Sequence, residues 1–432
     1  MIEILNILYL LVVCFVIFSF PLNNIYIKKK LIKYNLSIFE IYSTNILFLL
    51  TIFLFSSFFN FDIIYLFLTI LIFALLNLFF FDWKIYKKQI VPLLIFFLFL
   101  LSYSLEISTY PYLDWDASVN WVFKTLNFKS NYGFENLKNN PGYVGYPHLG
   151  TYLWALFWKA SFIDYEYTGR FVFIFIYLLS FFKLVDNLKI SSISKAILLI
   201  VIITISFDRI LFNGYQEPLM FSLCIIFLTL VEKINNKKNL YLYYMLLIFC
   251  ANLILWVKNE GMLILLLLNF FIFFKKQITN KIKIILFSIF LILIFIKKNI
   301  FLFYFGQFLF GWQGYEFITI SEFFSFEVLQ RLPFLFYQIA ITIVKYPVYL
   351  LFIVCILISL IKEKNFQKNL DFILFFLFNI SMAMAIFYLT TDLSWKHHAK
   401  VGLDRILYQT SGVYLIFILR FFENFIFNNK KN

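Results

Sequence analysis

The sequence predicts an all-α polytopic membrane protein of roughly 12–13 transmembrane helices, with short interfacial helices in its outer loops. Three observations predict this. Of 432 residues, 63% are hydrophobic and 14% charged, with a mean hydropathy of +0.88, which lies outside the range of soluble domains. Apolar runs of membrane length recur along the chain. Lysine clusters punctuate those runs at alternate ends, the charge pattern of cytoplasmic boundaries.

Residues 4–20, 38–58, 62–81 and 90–108 each have the length to cross roughly 30 Å of hydrocarbon as helices rising about 1.5 Å per residue. The short alternating segments of a β-barrel are absent from the sequence. The first run follows Met-Ile-Glu rather than a basic segment and lacks a small-residue cleavage site, so it reads as a retained helix. Cys14, Cys224, Cys250 and Cys355 sit inside apolar runs and read as small buried hydrophobes. The 63 phenylalanines, beside abundant Ile, Lys and Asn, fit an AT-rich genome as well as any functional demand. A net charge of +14 raises nucleic acid as a partner, but no soluble basic domain exists to hold a duplex.

The lysine clusters fall at residues 28–33, 84–88, 183–195, 233–238, 275–283 and 362–368, and at Lys430 with Lys431. Taken as cytoplasmic, they put the amino terminus outside and the carboxyl terminus inside. The outer face then holds a long loop at residues 109–169 and a second at 301–344, with shorter connections near 208–217, 258–261 and 391–405. Residues 149–163, "GTYLWALFWKASFID", are apolar but short, and charge parity leaves both ends outside. They read as a helix lying in the interface or dipping partway in, with Trp154 and Trp158 at headgroup depth. No Pro- or Gly-rich linker, low-complexity tail or repeat divides the chain, which predicts one membrane domain over residues 1–432.

Ionisable groups near membrane depth are costly, so the polar clusters on the outer side are the candidates for function. In "YPYLDWDASVNWVFKTL" a helix is expected to begin near Asp114, whose side chain can cap the first turn. Capping accounts for Asp114 as well as a catalytic role does. From Asp116, Asn120 and Lys124 follow at i+4 and i+8, so carboxylate, amide and ammonium share one helical face. An ordinary amphipathic interfacial helix gives the same pattern. "NNPGYVGYPHLGTY" combines turn chemistry at Asn139 to Gly142 with Tyr146, Pro147 and His148. A lone His is more often structural than chemical, but this one is expected at the water interface. In "FNGYQEPLMF", Glu217 precedes Pro218 at a helix start, where the dipole favours a carboxylate. In "LWVKNEGMLIL" the turn Lys258 to Gly261 has one cation; Lys258 and Glu260 either pair or meet a substrate, the lysine suiting an anion. "TTDLSWKHHAKVGLDRILYQ" gathers Lys396, His397, His398, Lys400 and Arg405. Adjacent histidines point apart, which argues against zinc, and the cluster suits phosphate.

"DWDASVNWVFKTL", "YVGYPHLGTYLWALFW", "GYQEPLMF", "KNEG" and "GLDRILYQ" occur in the order found in bacterial membrane glycosyltransferases of the GT-C superfamily. The resemblance spans residues 109–410 and is to the glycosyltransferase family 39-like group, more distantly to protein O-mannosyltransferases and lipid A aminoarabinose transferases. It implies a GT-C-like fold, a polyprenyl-phosphate-linked sugar donor, a glycan, lipid or protein acceptor, and an active site facing the periplasm or exterior of a bacterial inner membrane. It carries the catalytic base onto Asp116, and matches Lys124 to the lysine of the family's Trp-x-x-Lys segment and Tyr146 with Pro147 to its Tyr-Pro. Glu217 stands where Asp is more usual, and neither Asp114 nor His148 is fixed by the pattern. Better-known members place the acidic loop after the first span, whereas three or four spans precede it in this chain.

The expected reaction is inverting glycosyl transfer. Asp116, with Asp114 beside it, is the catalytic candidate; Lys124, Lys258, Arg405 and His148 are the cations expected on the donor phosphate. Asn120, Tyr146, Glu217 and Glu260 are the substrate-binding candidates. Magnesium or manganese on Asp114, Asp116 or Glu217 is compatible with carboxylate chemistry, but the spacing does not demand it. Two rivals are a lipid-linked oligosaccharide polymerase or ligase, which leans on outer arginines, and a lipid-linked glycan flippase or transporter, which expects charges at mid-membrane and repeated halves. The orientation itself is testable: a reporter fused at residue 130 is expected to read as outside, and a cytoplasmic signal there overturns the charge-parity assignment.

Overall fold

The computed structural model describes residues 2–23, 36–81, 86, 89–139, 144–186, 188, 190–234, 240–306, 322–363, 369–390 and 394–423. Outside them lie the lysine clusters at 28–33, 84–88 (Tyr86 apart), 235–238, 364–368 and 430–431, the turn at Pro141 and Gly142, and residues 307–321 and 391–393. Every regular element among the described residues is helical. Seven helices are long and apolar enough to cross a membrane, and five apolar ones are shorter. The chain is a polytopic helical membrane protein.

It divides into two compact units, residues 1–203 with 207–258, and residues 204–206 with 259–432. In unit 1, α1 (Ile2–Ile17), α2 (Ile38–Ser56), α3 (Ile63–Leu78) and α4 (Ile90–Thr109) precede the long loop. That loop is folded, carrying α5 (Val122–Lys129) and α6 (Leu149–Ala160), and α7 (Phe171–Asp186), α8 (Ser192–Ile205), α9 (Glu217–Lys233) and α10 (Leu240–Val257) follow. The sequence starts several of these visibly. Ser37 and Glu40 form a reciprocal capping box on α2, and Asp62 caps α3 through the Ile64 amide, each satisfying amides that a helix leaves open.

The core of unit 1 is α7. With the turn before it, Glu166–Asp186 is span-length, every residue from Tyr167 to Val185 is buried, and α1, α2, α4, α6 and α9 pack around it. Phe96, Phe175 and Phe182 meet there edge to face, a favoured aromatic geometry. Asn45 of α2 closes the end of α1: its Oδ1 accepts the Leu22 N–H at 3.0 Å, and its Nδ2 donates to Phe18 O and Ser19 O at 3.0 and 2.8 Å.

Helix α6 departs from its expected place in the interface. All of its residues except Lys159 are buried, with Trp154 and Trp158 at 0% and 9% exposure. Twelve residues reach only about 18 Å, and α2, α3, α5 and α10 enclose them. The Trp154 indole donates to Glu166 O at 3.0 Å, so these tryptophans serve internal packing rather than the headgroup belt. Gly169 permits the close approach: a Cβ there would stand 2.2 Å from Trp154 O.

Unit 2 comprises α11 (Gly261–Phe274), α12 (Asn280–Phe305), α13 (Phe326–Leu329), α14 (Arg331–Lys345), α15 (Pro347–Glu363), α16 (Leu370–Tyr388) and α17 (Trp395–Phe422). Helix α17 is its hub, packed on α14, α15 and α16. Asn379 of α16 donates to Thr410 Oγ1 and Tyr414 OH of α17 at 2.9 and 3.0 Å. The expected outer loop 301–344 is shortened from both sides. Helix α12 continues to Phe305, and Phe326–Lys345 is itself span-length and apolar, because Leu335, Ile339 and Thr342 recur at helical spacing on a buried face.

Asn45→Ala strands one buried amide and two carbonyls. It is expected to lower the stability of the purified protein by about 2–3 kcal/mol, read as a lower thermal midpoint in detergent; an unchanged midpoint removes Asn45 from this role.

Candidate functional site

The site residues of unit 1 gather at one end, where α2 and α10 finish and α6 and α9 begin. The opposite end holds the Lys233–Glu40 and Lys195–Asp186 ion pairs and the buried Lys183, so lysines assigned to the cytoplasm cluster away from the candidate motifs.

Asp114 does cap. Its Oδ1 accepts the Trp115 N–H at 2.7 Å, and its carbonyl accepts the Ser118 N–H at 2.9 Å. Ala117–Trp121 is then a π turn, closed by the Val122 N–H on Ala117 O, and it runs into α5. The shared face expected for Asp116, Asn120 and Lys124 assumes α geometry. The segment that carries them includes a π turn, which spends one more residue per turn; Asp116 is half-buried, and Asn120 and Lys124 are 2% and 0% exposed.

Lys124 turns inward and holds the chain ahead of α6. Its Nζ donates to Tyr146 O at 2.5 Å and Val144 O at 3.4 Å, 5.9 Å from the centroids of both the Trp121 and Tyr146 rings. Burial pushes its amine well below the usual lysine range, since removing water penalises the charged form. His148 is likewise interior, not at the water interface. Its Nε2 lies 2.6 Å from Ser57 Oγ, and Phe58, Phe128, Phe134 and Trp256 surround the ring.

The "FNGYQEP" loop closes over the acidic motif. Asn213 O accepts the Asp114 N–H at 3.2 Å. Gly214 has φ +78°, and a Cβ there would meet Leu113 at 2.6 Å and Ala117 at 3.0 Å, so conformation and space both require glycine. Arg170, which the sequence reading passed over, ties the two segments together. It is fully buried, donates through Nη1 to Tyr112 O at 2.9 Å and to Phe212 O, and pairs with Glu166 at 2.8 Å. Its signal was present in the sequence: an arginine four residues after a glutamate, opening an apolar run.

Glu217 heads α9 as expected, and Lys258, just past α10, reaches it at 2.9 Å with both side chains buried. Each charge lies at the helix end that favours it. Lys258 therefore meets a carboxylate of its own unit. Glu260 and Arg405, both half-buried, belong to unit 2, at the start of α11 and on α17. Among the described residues no three His, Cys, Asp or Glu side chains form a metal-ligand group. Scans against protein-family models, curated proteins and solved structures found no match for this chain.

Two outcomes follow from the buried charges. Lys258→Met removes the ammonium paired with the buried Glu217 carboxylate and is expected to cost about 3–5 kcal/mol, most of it recovered in the Glu217→Gln, Lys258→Met double variant; equal damage in single and double variants rejects the pairing. For Lys124, the unfolded amine keeps its proton up to about pH 10.4, whereas the folded one releases it earlier. The unfolded state thus binds more protons across that window, and stability rises with pH there. Lys124→Met is expected to flatten that slope in thermal melts, and an unaltered slope contradicts it.

Proposed function

We propose that the protein is an inverting membrane glycosyltransferase of GT-C type, moving a sugar from a polyprenyl-phosphate carrier to an acceptor hydroxyl on the outer face of a bacterial inner membrane. The observation that carries this reading is convergence. Motifs separated by some hundred residues meet at one end of unit 1 through the Asp114–Asn213 bond, the Gly214–Ala117 contact, the Lys124–Tyr146 bond and the Lys258–Glu217 pair. Within that end Glu217 is neutralised by Lys258, and Asp116 stands half-buried immediately before a π turn, a backbone form frequent at functional sites. The seven span-length and five shorter apolar helices are compatible with roughly 12–13 crossings.

In the proposed reaction Asp116 takes the proton of the acceptor hydroxyl as its oxygen attacks the anomeric carbon. The bond from that carbon to the phosphate oxygen breaks with inversion, and the polyprenyl phosphate leaves with the electron pair. Asp114 fixes the start of the helix that carries Asp116.

One observation favours the transporter reading. Lys297 is fully buried inside the 26-residue helix α12, as a charge on a transport path would be. However, α12 is about 39 Å long and Lys297 lies about 12 Å from its Phe305 end. With roughly 30 Å of hydrocarbon, the lysine can sit close to the boundary, so we favour the transferase.

Asp116→Asn is expected to reduce transfer from a panel of polyprenyl-phosphate sugars by about 10²–10⁴-fold. Undiminished transfer by a folded Asp116→Asn protein removes the base, and lipid movement without glycosidic bond formation supports the transporter.

A further inference from the structure

With Lys124 bound to carbonyls and His148 enclosed by aromatic rings, two of the cations expected on the donor phosphate are occupied elsewhere. The same end of unit 1 offers different chemistry. Helix α6 begins at His148 and α9 at Gln216, and neither start has a side-chain cap. Open first-turn amides and the helix dipole make such a start favourable for an anion. Thr151 does not change this, because its hydroxyl donates backwards to His148 O at 2.8 Å.

Gln216 brings the two starts together. It is the N-cap residue of α9 and only 1% exposed. Its side chain reaches the first turn of α6, where Oε1 lies 1.3 Å from the position a Cβ on Gly150 would take, and Nε2 lies 3.3 Å from that position. Among the described residues neither carboxamide atom has a hydrogen-bond partner. A buried amide lying against open N–H groups without bonding them is costly, and such groups call for an explanation. Glycine at 150 leaves the room it occupies.

We infer that the paired starts of α6 and α9 form a phosphoryl-binding site, with Gln216 as its side-chain donor and Gly150 as its floor. This rests on the proposed glycosyl transfer, and places the carrier's phosphate on main-chain amides and a carboxamide rather than on Lys124 or His148. The donors at the site are the first-turn amides of α6, the Gln216 NH₂ and two positive dipole ends, Pro218 having no N–H to add in the first turn of α9. Glu217 does not oppose an anion strongly, because Lys258 balances it at 2.9 Å. A phosphate, which only accepts hydrogen bonds from such groups, fits helix-start amides and the Gln216 NH₂.

The test uses the full-length protein in lipid nanodiscs with farnesyl phosphate, farnesol and inorganic phosphate as probes. Wild type is expected to bind farnesyl phosphate, and farnesol about tenfold or more weakly, as the loss of one charge-assisted hydrogen bond dictates. Gln216→Leu is expected to weaken farnesyl phosphate about tenfold while farnesol is unaffected. Gly150→Ala pushes only the flexible end of Gln216 and is expected to weaken binding with little loss of thermal stability. Competition by inorganic phosphate at similar concentration identifies free phosphate as the ligand; competition by the farnesyl form alone identifies the lipid. Unchanged farnesyl phosphate binding in folded Gln216→Leu, equal binding of farnesol, or no binding by wild type overturns the site. The outcomes separate from those of the transfer reading: Asp116-dependent transfer with a Gln216-independent affinity refutes only this site, and Gln216-dependent binding without transfer refutes only the reaction.

Discussion

A guanidinium with no exposed surface depends on partners within the protein, and those of Arg170 organise unit 1. It bonds the carbonyls of Tyr112 and Phe212 and the carboxylate of Glu166, so the segment before the acidic motif and the segment before Gln216 are fixed to the head of the central helix. Arg suits this because its planar fork serves several acceptors at once, where an ammonium is a single point charge. The neighbouring glycine lets the same turn close against Trp154. Without that approach, α6 has no room beside α7.

Three other buried charges follow the same rule with different partners. Lys124 uses carbonyls, and Lys258 and Glu217 use each other. Taking such groups out of water costs several kcal/mol each, which good pairing only offsets. Their presence is therefore weak as an argument for stability and stronger as an argument for a defined arrangement of loops.

The helical membrane class was legible because hydropathy over twenty residues is a strong local signal. Cap and turn chemistry was legible for the same reason at Asp114, Glu217 and Pro218. What escaped depends on tertiary context. The π turn at Ala117–Trp121 has no periodic signature, so nothing in the sequence shows that the pitch changes between Asp116 and Lys124. Trp154 and His148 have the composition of interfacial residues, and only the packing around α6 reveals them as interior. Arg170 and Gln216 stand beside apolar runs; Arg170 meets carbonyls 58 and 42 residues away, and Gln216 lies against another helix start. The division into units has no linker to announce it, because Lys258 and Asn259 are consecutive residues of a tight turn.

That division bears on how the protein is made. Unit 1 is almost contiguous and ends at Lys258, so nearly all of it is synthesised before α11 exists, and domains generally fold in order of synthesis. Glu217 precedes its partner by 41 residues. While α9 is emerging, its leading carboxylate has no counter-charge; that arrives only when α10 is complete. The pair therefore closes only after α10 has been made, and it ties the start of α9 to the residue at which unit 1 ends.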